Sequence, residues 1–349
     1  MSAEPIEELG YYLLGGHPMD PSALLEEVRR GEELGLGAAF LSERWSTKEA
    51  ASLSGAACAL SERQRIVVAA TNHTLRHPVI SGAWATTMHR LSGGRFTLGI
   101  GRGVAAQHRA FGLPAITTAQ MEDWAGLLRR LFRGETIVEH DGPAGRYPLL
   151  QLESSFDEDA PLALVAFGPR TLELGGRAFD DVILHTYFTE ETTARAAATV
   201  KRAAEEAGRD PASVRVWSCF ATLGSHLPPA AALRKSVARL ATYLQYYGDL
   251  MVETNRWDPA VLARFRADPV VASFRETIDG RATDEQVEHL ATLLPDEWLE
   301  PSATGTPEQC ARRVRRELEL GCDRVILHGA TPDELAPILD AWRAAPVAA

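Results

Sequence analysis

The order of short apolar segments along this chain constrains its fold more than any other feature. Near-continuous apolar runs, such as 66–70 and 182–184, alternate with longer amphipathic segments. Strands that are apolar at consecutive positions are typical of parallel sheets covered on both faces, whereas strands with one wet face alternate in polarity. The pattern therefore predicts an α/β protein built on a parallel sheet.

Eight strands are predicted, and each is followed by at least one helical segment. They lie at 9–14, 38–42, 66–71, 95–101, 162–166, 181–186, 214–223 and 324–328. Proline and glycine mark helix boundaries between them, as Pro21 and Gly35 do for the first helix. Eight βα units in order predict a closed (β/α)8 TIM barrel, because right-handed crossovers of this length close at eight strands. A doubly wound open sheet is the alternative.

Three segments exceed what a minimal barrel needs. Residues 102–117 are predicted to form a loop, and residues 134–160 an exposed excursion with a turn at 141–143. Residues 225–304 have a helical pattern and are predicted to be an insertion after the seventh strand, at the C-terminal rim where lids commonly form. Because no internal repeat or low-complexity linker is present, we expect one domain spanning 1–349.

The charge balance argues against some partners. The chain has 36 basic and 47 acidic residues, which gives a net charge of −11. An acidic surface repels nucleic acid and anionic lipid, so neither is an expected partner. The acidic start without an apolar run, and four scattered cysteines, favour a cytoplasmic protein with reduced thiols.

The predicted strand ends supply most of the candidate functional residues. In a barrel, the C-terminal ends of the strands meet around one mouth, where active sites lie. The candidates are Glu43, Arg44, Trp45, Thr71, Asn72, His73, Arg102, Gly103, Phe167, Gly168, Arg170, Thr171, His185, Thr186, Tyr187 and His328. Polar groups, aromatic rings and glycines in one place predict a pocket for an organic ligand.

The segment Gly168-Pro169-Arg170-Thr171 predicts an anion site. Glycine ends a strand, proline opens a helix, and the free N–H groups of the first helical turn attract phosphate together with Arg170. The alternative is an ordinary proline-initiated helix. The glycines at 99, 101 and 103 resemble a phosphate loop only loosely, because the last glycine of the dinucleotide fingerprint and its following acidic residue are missing.

Three other candidates have structural alternatives. Glu43 closes an apolar strand inside the mouth, where an unpaired charge is costly; a salt bridge with Arg44 or Arg76 is the other interpretation. His185 and His328 suit either a pocket or a core position. No metal is expected, since Pro78 disfavours helical geometry at the nearby histidines 73 and 77. Motifs of serine hydrolases, barrel metal hydrolases and Schiff-base aldolases are missing, so a bound redox cofactor is predicted to supply the reactivity.

Taken together, these motifs resemble the bacterial-luciferase-like superfamily, and especially its branch that uses the deazaflavin coenzyme F420. The resemblance rests on residues 40–43, 74–78, 91–103, 168–169, 179–184, 305–308 and 321–327. It implies a TIM barrel, usually dimeric, with the cofactor ring across the mouth and a bulge at 69–72, often with a non-prolyl cis peptide, behind the ring.

By resemblance, each candidate residue acquires a role. Cofactor binding is expected of Glu43, Thr71, Asn72, His73, Arg102, Gly103, Phe167, Gly168, Arg170 and Thr171, catalysis of Glu43, Arg44 and His185, and substrate binding of Trp45, Thr186 and Tyr187. Where related sugar-phosphate dehydrogenases have a histidine and a glutamate, this sequence has Arg44 and Val104, and their phosphate-binding lysine has no counterpart near Tyr187. Glucose 6-phosphate is therefore not the expected substrate.

The leading hypothesis is an F420-dependent oxidoreductase that moves a hydride between the deazaflavin and a small organic substrate, as a homodimer. An FMN-dependent monooxygenase on the same fold is the first alternative. A non-catalytic cofactor-binding protein is the second.

Overall fold

A computed structural model describes residues 3–344 except 17, 19 and 46. Its strands are β1 (Ile6–Tyr12), β2 (Leu36–Leu41), β3 (Arg65–Val68), β4 (Phe96–Ile100), β5 (Ile137–Gly142), β6 (Gly145–Leu150), β7 (Leu162–Val165), β8 (Asp181–Ile183), β9 (Arg215–Gly224), β10 (Ala303–Gly305) and β11 (Arg324–His328). Its helices are α1 (Ala23–Glu33), α2 (Ala50–Leu60), α3 (Pro78–Leu91), α4 (Ala105–Ala110), α5 (Thr118–Phe132), α6 (Pro169–Ala178), α7 (Glu190–Glu206), α8 (Pro229–Leu233), α9 (Arg239–Asn255), α10 (Pro259–Ala267), α11 (Pro269–Ser273), α12 (Ile278–Arg281), α13 (Asp284–Leu293), α14 (Asp296–Leu299), α15 (Pro307–Glu319) and α16 (Pro332–Ala344).

Within the described residues, eight parallel strands close into a barrel. The order is β1, β2, β3, β4, β7, β8, β9 and β11, and β11 pairs with β1 to complete the ring. These are the eight strands predicted from the sequence, in the predicted order. The (β/α)8 TIM barrel is thus confirmed, and the open doubly wound sheet is wrong because no edge remains between β1 and β11.

Apolar side chains fill the interior of the barrel. Phe40 of β2 packs edge-on against Trp217 of β9 with ring centroids 4.8 Å apart. At the N-terminal end of the barrel, the buried carboxylate of Asp181 accepts hydrogen bonds from Arg65 at 3.0 Å and from Arg215 at 2.8 Å. Each barrel strand has this core on one face and the surrounding helices on the other. The strands are therefore buried on both faces, which explains their continuous apolar runs.

The segment between β9 and β11 forms the predicted helical insertion. Helices α8 to α14 have their own apolar cluster, in which Trp257 and Trp298 stack with centroids 4.6 Å apart. Tyr187, at the end of β8, belongs to the same cluster. The insertion therefore packs on the barrel mouth. We call residues 225–304 the cap.

Some local predictions differ from the structure. The excursion 134–160 contains the antiparallel hairpin β5–β6, whose strands were not predicted because their polar, half-exposed residues lack the apolar runs of the barrel strands. The loop 102–117 contains the short helix α4. None of the described helices combines the length and the apolar character needed to cross a membrane.

Candidate active site

The chain bends sharply where β3 ends. The peptide bond between Ala69 and Ala70 is cis, as the resemblance led us to expect at 69–72. Tyr12, at the end of β1, donates a hydrogen bond from its hydroxyl to the carbonyl of Ala69 at 3.1 Å. The amide of Thr71 then donates to the carbonyl of Gly99 at 3.0 Å, which ties the bend to β4. We call residues 69–72 the bulge.

Glu43 is held in the mouth by Arg76. The two guanidinium nitrogens of Arg76 donate to the two carboxylate oxygens of Glu43 at 2.7 and 3.0 Å. The hydroxyl of Thr71 donates to the same carboxylate, and Arg76 contacts that hydroxyl at 2.9 Å. The salt bridge that the sequence offered as an alternative is therefore present, with Arg76. Through the hydroxyl of Thr71, this salt bridge holds one residue of the bulge in place. A role of Glu43 next to a cofactor stays a prediction.

Asn72 links the bulge to the loop that follows β4. Its amide nitrogen donates to the carbonyl of Gly101 at 2.7 Å. Gly103 has φ of +66°, and a Cβ there would lie 2.5 Å from the ring of His108, so only glycine fits. His73 lies behind this layer with its ring 6.3 Å from that of Trp124, and burial lowers the pKa of His73 to about 4. The backbone of this loop can thus approach a flat ligand closely.

Two arginines and a helix start lie together between β4 and β7. Arg102 follows β4, and Arg170 lies in the first turn of α6, which follows the neighbouring strand β7. Burial and the nearby charge of Arg170 lower the pKa of Arg102. Gly168 caps α6 without any side-chain hydrogen bond, so the first-turn amide of Arg170 stays available. Thr171 is buried in the first turn of α6. This part of the mouth suits the negatively charged end of a ligand.

Aromatic rings from the segments after β7 and β8 and from α9 pack together in the mouth. His185 packs against Phe167 with ring centroids 4.4 Å apart, and against Tyr243 of α9 at 4.8 Å. Tyr247, one turn further along α9, lies 5.7 Å from His185. Burial lowers the pKa of His185 to about 4, so its imidazole is neutral at pH 7. The ring nitrogen Nδ1 lies 3.0 Å from the carbonyl of Thr186 and must donate to it, which leaves Nε2 as a hydrogen-bond acceptor.

The three expected substrate-binding residues have different surroundings. Trp45 packs its ring 5.3 Å from those of His108 and Phe111, at the flank of the mouth. Thr186 is buried, and its hydroxyl contacts the thiol of Cys219 at 3.2 Å. Tyr187 is fully buried and donates to the carbonyl of Ser236 in the cap at 3.0 Å. Tyr187 therefore fastens the cap to the barrel, and substrate contact by these residues stays a prediction.

The structure adds residues that the sequence did not single out for the mouth. Lys48 is buried and donates to the carbonyl of Leu14 at 2.9 Å. Arg239 and Tyr243 enter from α9, and the Tyr243 hydroxyl lies 3.4 Å from Nε2 of His328. The run of aromatic residues at 243–247 is a signal that could have found Tyr243. Lys48 and Arg239 have no local signal, because each looks like an ordinary surface cation in sequence.

The mouth therefore combines an anion-binding part, a backbone-lined part and an aromatic part under a cap. A flat organic molecule with a negatively charged tail matches this arrangement. Neutral imidazoles and tyrosine hydroxyls next to the aromatic part are able to hold or move a proton. Among the described residues, no three His, Cys, Asp or Glu side chains are grouped as metal ligands.

The chain has clear relatives among known proteins. The family model described as luciferase-like monooxygenase matches residues 7–324. The 5,10-methylenetetrahydromethanopterin reductase of Methanolobus tindarius is 24% identical over 318 residues, which cover 88% of this chain and 91% of that protein.

Two solved structures share the fold. The coenzyme F420-dependent tetrahydromethanopterin reductase from Methanopyrus kandleri superposes with a TM-score of 0.78 at 18% identity, covering 97% of this chain and 98% of that one. An F420-dependent secondary alcohol dehydrogenase in complex with an F420–acetone adduct superposes with a TM-score of 0.70 at 17% identity, covering 98% of this chain and 100% of that one.

Proposed function

This chain belongs to the luciferase-like monooxygenase family, and from that premise we propose that it is a coenzyme F420-dependent oxidoreductase acting on a small organic substrate. The names of its relatives support this choice, since the F420-dependent reductase and alcohol dehydrogenase cover nearly the whole chain. The observation that carries the proposal is the start of α6 after β7, next to the loop after β4 that carries Arg102. The hydrogen bond from Asn72 to Gly101 ties that loop to the bulge. A deazaflavin has a flat ring and an anionic tail, and these two parts of the mouth match them.

The residues present fit such a cofactor. The tail would lie against Arg102, the open first turn of α6 and Arg170, and the ring against the bulge and Phe167. A Cβ added to Gly168 would meet only one side-chain carbon of Leu250 at 3.8 Å, so there is open space in front of this helix start. When bound, the deazaflavin supplies a ring carbon that accepts or donates a hydride.

The protein itself would orient the cofactor and the substrate, exclude water from the site and supply groups for proton transfer. Glu43 and Arg76 hold the bulge through Thr71. The cap covers the mouth and excludes water, which strengthens electrostatic interactions in the site. His185 offers Nε2 as an acceptor, and Tyr243 next to His328 offers a hydroxyl, so these groups are the candidates for exchanging a proton with the substrate. Arg44 is proposed to stabilise negative charge that develops on the substrate.

We also propose that the chain forms one domain, with the cap as an insertion. The continuous packing of Tyr187 and Ala221 of the barrel into the apolar cluster of the cap supports this organisation.

An FMN-dependent monooxygenase is a second candidate, favoured by the activity for which the family model is named. The two differ in oxygen chemistry, because a deazaflavin lacks the ring nitrogen that lets reduced flavin react readily with oxygen.

The deciding experiment is a titration of the purified protein with F420 and, separately, with FMN, followed by fluorescence quenching. We expect micromolar or tighter binding of F420, weaker binding of FMN, and no oxygen consumption when reduced F420 and substrates are supplied. Tighter binding of FMN together with oxygen uptake would reject the proposal in favour of a monooxygenase. Binding of F420 without turnover of alcohols, aldehydes, enones or imines would instead indicate a non-catalytic cofactor-binding protein.

A further inference from the structure

Three cationic side chains converge beneath α9, on the aromatic side of the mouth. They are Arg44 and Lys48 from the segment after β2, and Arg239 from the first turn of α9. Each influences the others electrostatically, since Arg44 and Arg239 both contribute to lowering the pKa of Lys48, after burial itself. We call this cluster the cationic pocket; it does not include Arg102 and Arg170, which follow β4 and β7.

Backbone contacts fix two of these cations on one turn. The amide of Arg44 donates to the carbonyl of Lys48 at 3.0 Å, and the amide of Lys48 donates back to the carbonyl of Arg44 at 2.8 Å. The ammonium of Lys48 is turned inward, where it contacts the carbonyl of Leu14 at 2.9 Å and the hydroxyl of Ser42 at 3.3 Å. Burial lowers the pKa of Lys48 to about 7, so an anion next to it would restore its full charge.

Arg239 reaches the same place from the cap. A Cβ on Gly16 would lie 3.7 Å from its Nη2, and Gly16 is two residues after Leu14, the acceptor of Lys48. Nη1 of Arg239 forms an ion pair with Asp279 at 2.9 Å. Its Nε is buried and has no hydrogen-bond partner among the described residues. The edge formed by Nε and Nη2 is the one that binds a carboxylate in a bidentate manner.

His328 provides a second unsatisfied group in the cationic pocket. Its Nδ1 is buried without a partner within the described part of the chain. Burial, and after it the nearby charges of Arg239, Arg44 and Lys48, hold the pKa of His328 well below its usual range. Buried polar atoms without partners are rare in proteins and call for a ligand or an ordered water.

The charge of the pocket limits what it can bind. Arg239 pairs with buried Asp279. Within the described residues, the buried ammonium of Lys48 contacts the carbonyl of Leu14 and the hydroxyl of Ser42 rather than a carboxylate. One buried ammonium beside a bidentate guanidinium edge suits a monoanionic carboxylate better than a dianion.

We propose that the substrate carries a carboxylate, and that Arg44, Lys48 and the Nε–Nη2 edge of Arg239 bind it under the cap. This inference rests on the proposed function, because it assigns the substrate class of that same site. The carboxylate would hold the substrate against the aromatic wall of Tyr243 and His185, with its reactive carbon toward the bulge.

The test compares carboxylates with matched neutral compounds on the F420-loaded protein. The probes are 4-oxopentanoate and 4-oxopentanamide, benzoate and benzamide, and phenyl phosphate, with dissociation constants from ligand-observed NMR or calorimetry. We expect each carboxylate to bind about 10-fold or more tightly than its amide, as a charge-assisted hydrogen bond provides. Equal binding of the carboxylates and amides would overturn the inference, and tighter binding of phenyl phosphate than of benzoate would overturn the assignment of a carboxylate.

Variants locate the effect. Lys48→Met and Arg44→Gln are each expected to reduce the ratio of carboxylate to amide affinity about 10-fold or more. Because Arg239 pairs with buried Asp279, it is tested as the double variant R239Q/D279N, which removes both charges together. Arg146→Gln, an equal change of charge at an exposed site on the hairpin, is the control and should keep the preference. A preference that survives K48M and R44Q would reject the pocket.

Quenching of F420 in the same samples separates this inference from the proposed function. A wild-type protein that binds F420 but shows no preference for carboxylates would contradict only the cationic pocket. A protein that prefers carboxylates but does not bind F420 would contradict the proposed function and leave the pocket supported.

Discussion

Two buried carboxylates, Glu43 and Glu317, have opposite surroundings. Glu43 is paired through both oxygens with Arg76, so its charge is compensated inside the mouth. Glu317 lies between α15 and β9, where its hydrogen-bond donor is the neutral hydroxyl of Ser218 at 2.6 Å. Burial raises the pKa of Glu317 to about 7. The charge of Glu317 is therefore not compensated by its hydrogen-bond partner, as that of Glu43 is by Arg76.

Replacing Glu317 with glutamine is expected to stabilise the protein at pH 8. Between pH 4.5 and 7 the folded state binds more protons at this site than the unfolded state, so wild-type stability falls as pH rises through that window. At roughly 1.4 kcal/mol per pKa unit, the gain in the free energy of unfolding should be about 3 kcal/mol at pH 8 and vanish near pH 4.5. Chemical denaturation across pH 5–8 measures it, with the exposed Glu319→Gln as control. An unchanged pH slope in E317Q would contradict the prediction.

Replacing Glu43 with glutamine should weaken the bulge and cofactor binding together. Arg76 keeps its contact with Glu49, but Thr71 loses its charged acceptor. We expect the free energy of unfolding to fall by about 2 kcal/mol and F420 affinity to fall about 10-fold. Glu49→Gln is the matched control, because it removes an exposed carboxylate from the same guanidinium, and exposed pairs contribute about 0–1 kcal/mol. Equal effects of E43Q and E49Q on F420 quenching would show that Glu43 has no special role.

At the level of elements, the start of α6 combines free backbone amides with the charge of Arg170. After β7 the chain reaches Gly168, and α6 begins at Pro169 with no side-chain cap among the described residues. The loop after β4 carries Arg102 to the same end of the barrel, because β4 and β7 pair in parallel. Function in this fold therefore depends on how each strand passes into the following helix.

Blocking that helix start should remove binding of the anionic tail. Gly168→Trp is expected to reduce F420 affinity at least 10-fold, whereas Gly168→Ala should bind normally, because its Cβ has open space and φ of −90° suits any residue. Arg170→Gln should also weaken F420 by about 10-fold, as expected for a charge-assisted hydrogen bond, yet leave a tail-less deazaflavin unaffected. Fluorescence titration with both ligands provides the readout. Wild-type F420 affinity in G168W would reject this site.

At the scale of the whole molecule, a barrel and a cap share one mouth. The barrel core and the cap are distinct apolar clusters, and Tyr187 joins them through its bond to Ser236. Asn255 of α9 also donates to the carbonyl of Tyr187 at 2.9 Å. The cap has an apolar cluster of its own in addition to these ties, so its packing can be disturbed separately from that of the barrel core.

Truncating the tryptophan stack should loosen the cap before the barrel. Trp298→Ala removes a fully buried ring from its partner Trp257, and such changes cost about 3–5 kcal/mol. We expect limited proteolysis to cut within residues 225–304 much faster than in wild type, while F420 quenching changes less than threefold. Trp342→Ala, on α16 outside the cap, is the comparison. Cleavage of the barrel at the same rate as the cap would contradict separate loosening.

The barrel and much of its mouth were predictable from the sequence. Apolar runs and helix boundaries depend on neighbouring residues, so they fixed the strand order and placed Arg102, Gly168 and Arg170 at strand ends. The hairpin β5–β6 escaped prediction because its strands are not buried on both faces.

Tertiary structure alone decided which partners those residues have. Glu43 forms its salt bridge with Arg76 rather than with Arg44. The charge of Arg239, in the cap, contributes to lowering the pKa of Lys48. No local pattern encodes such pairs, because they arise only when the barrel closes and the cap folds across it. The order of the elements is thus a local property of the chain, whereas the charge of the pocket is set by contacts between segments far apart in sequence.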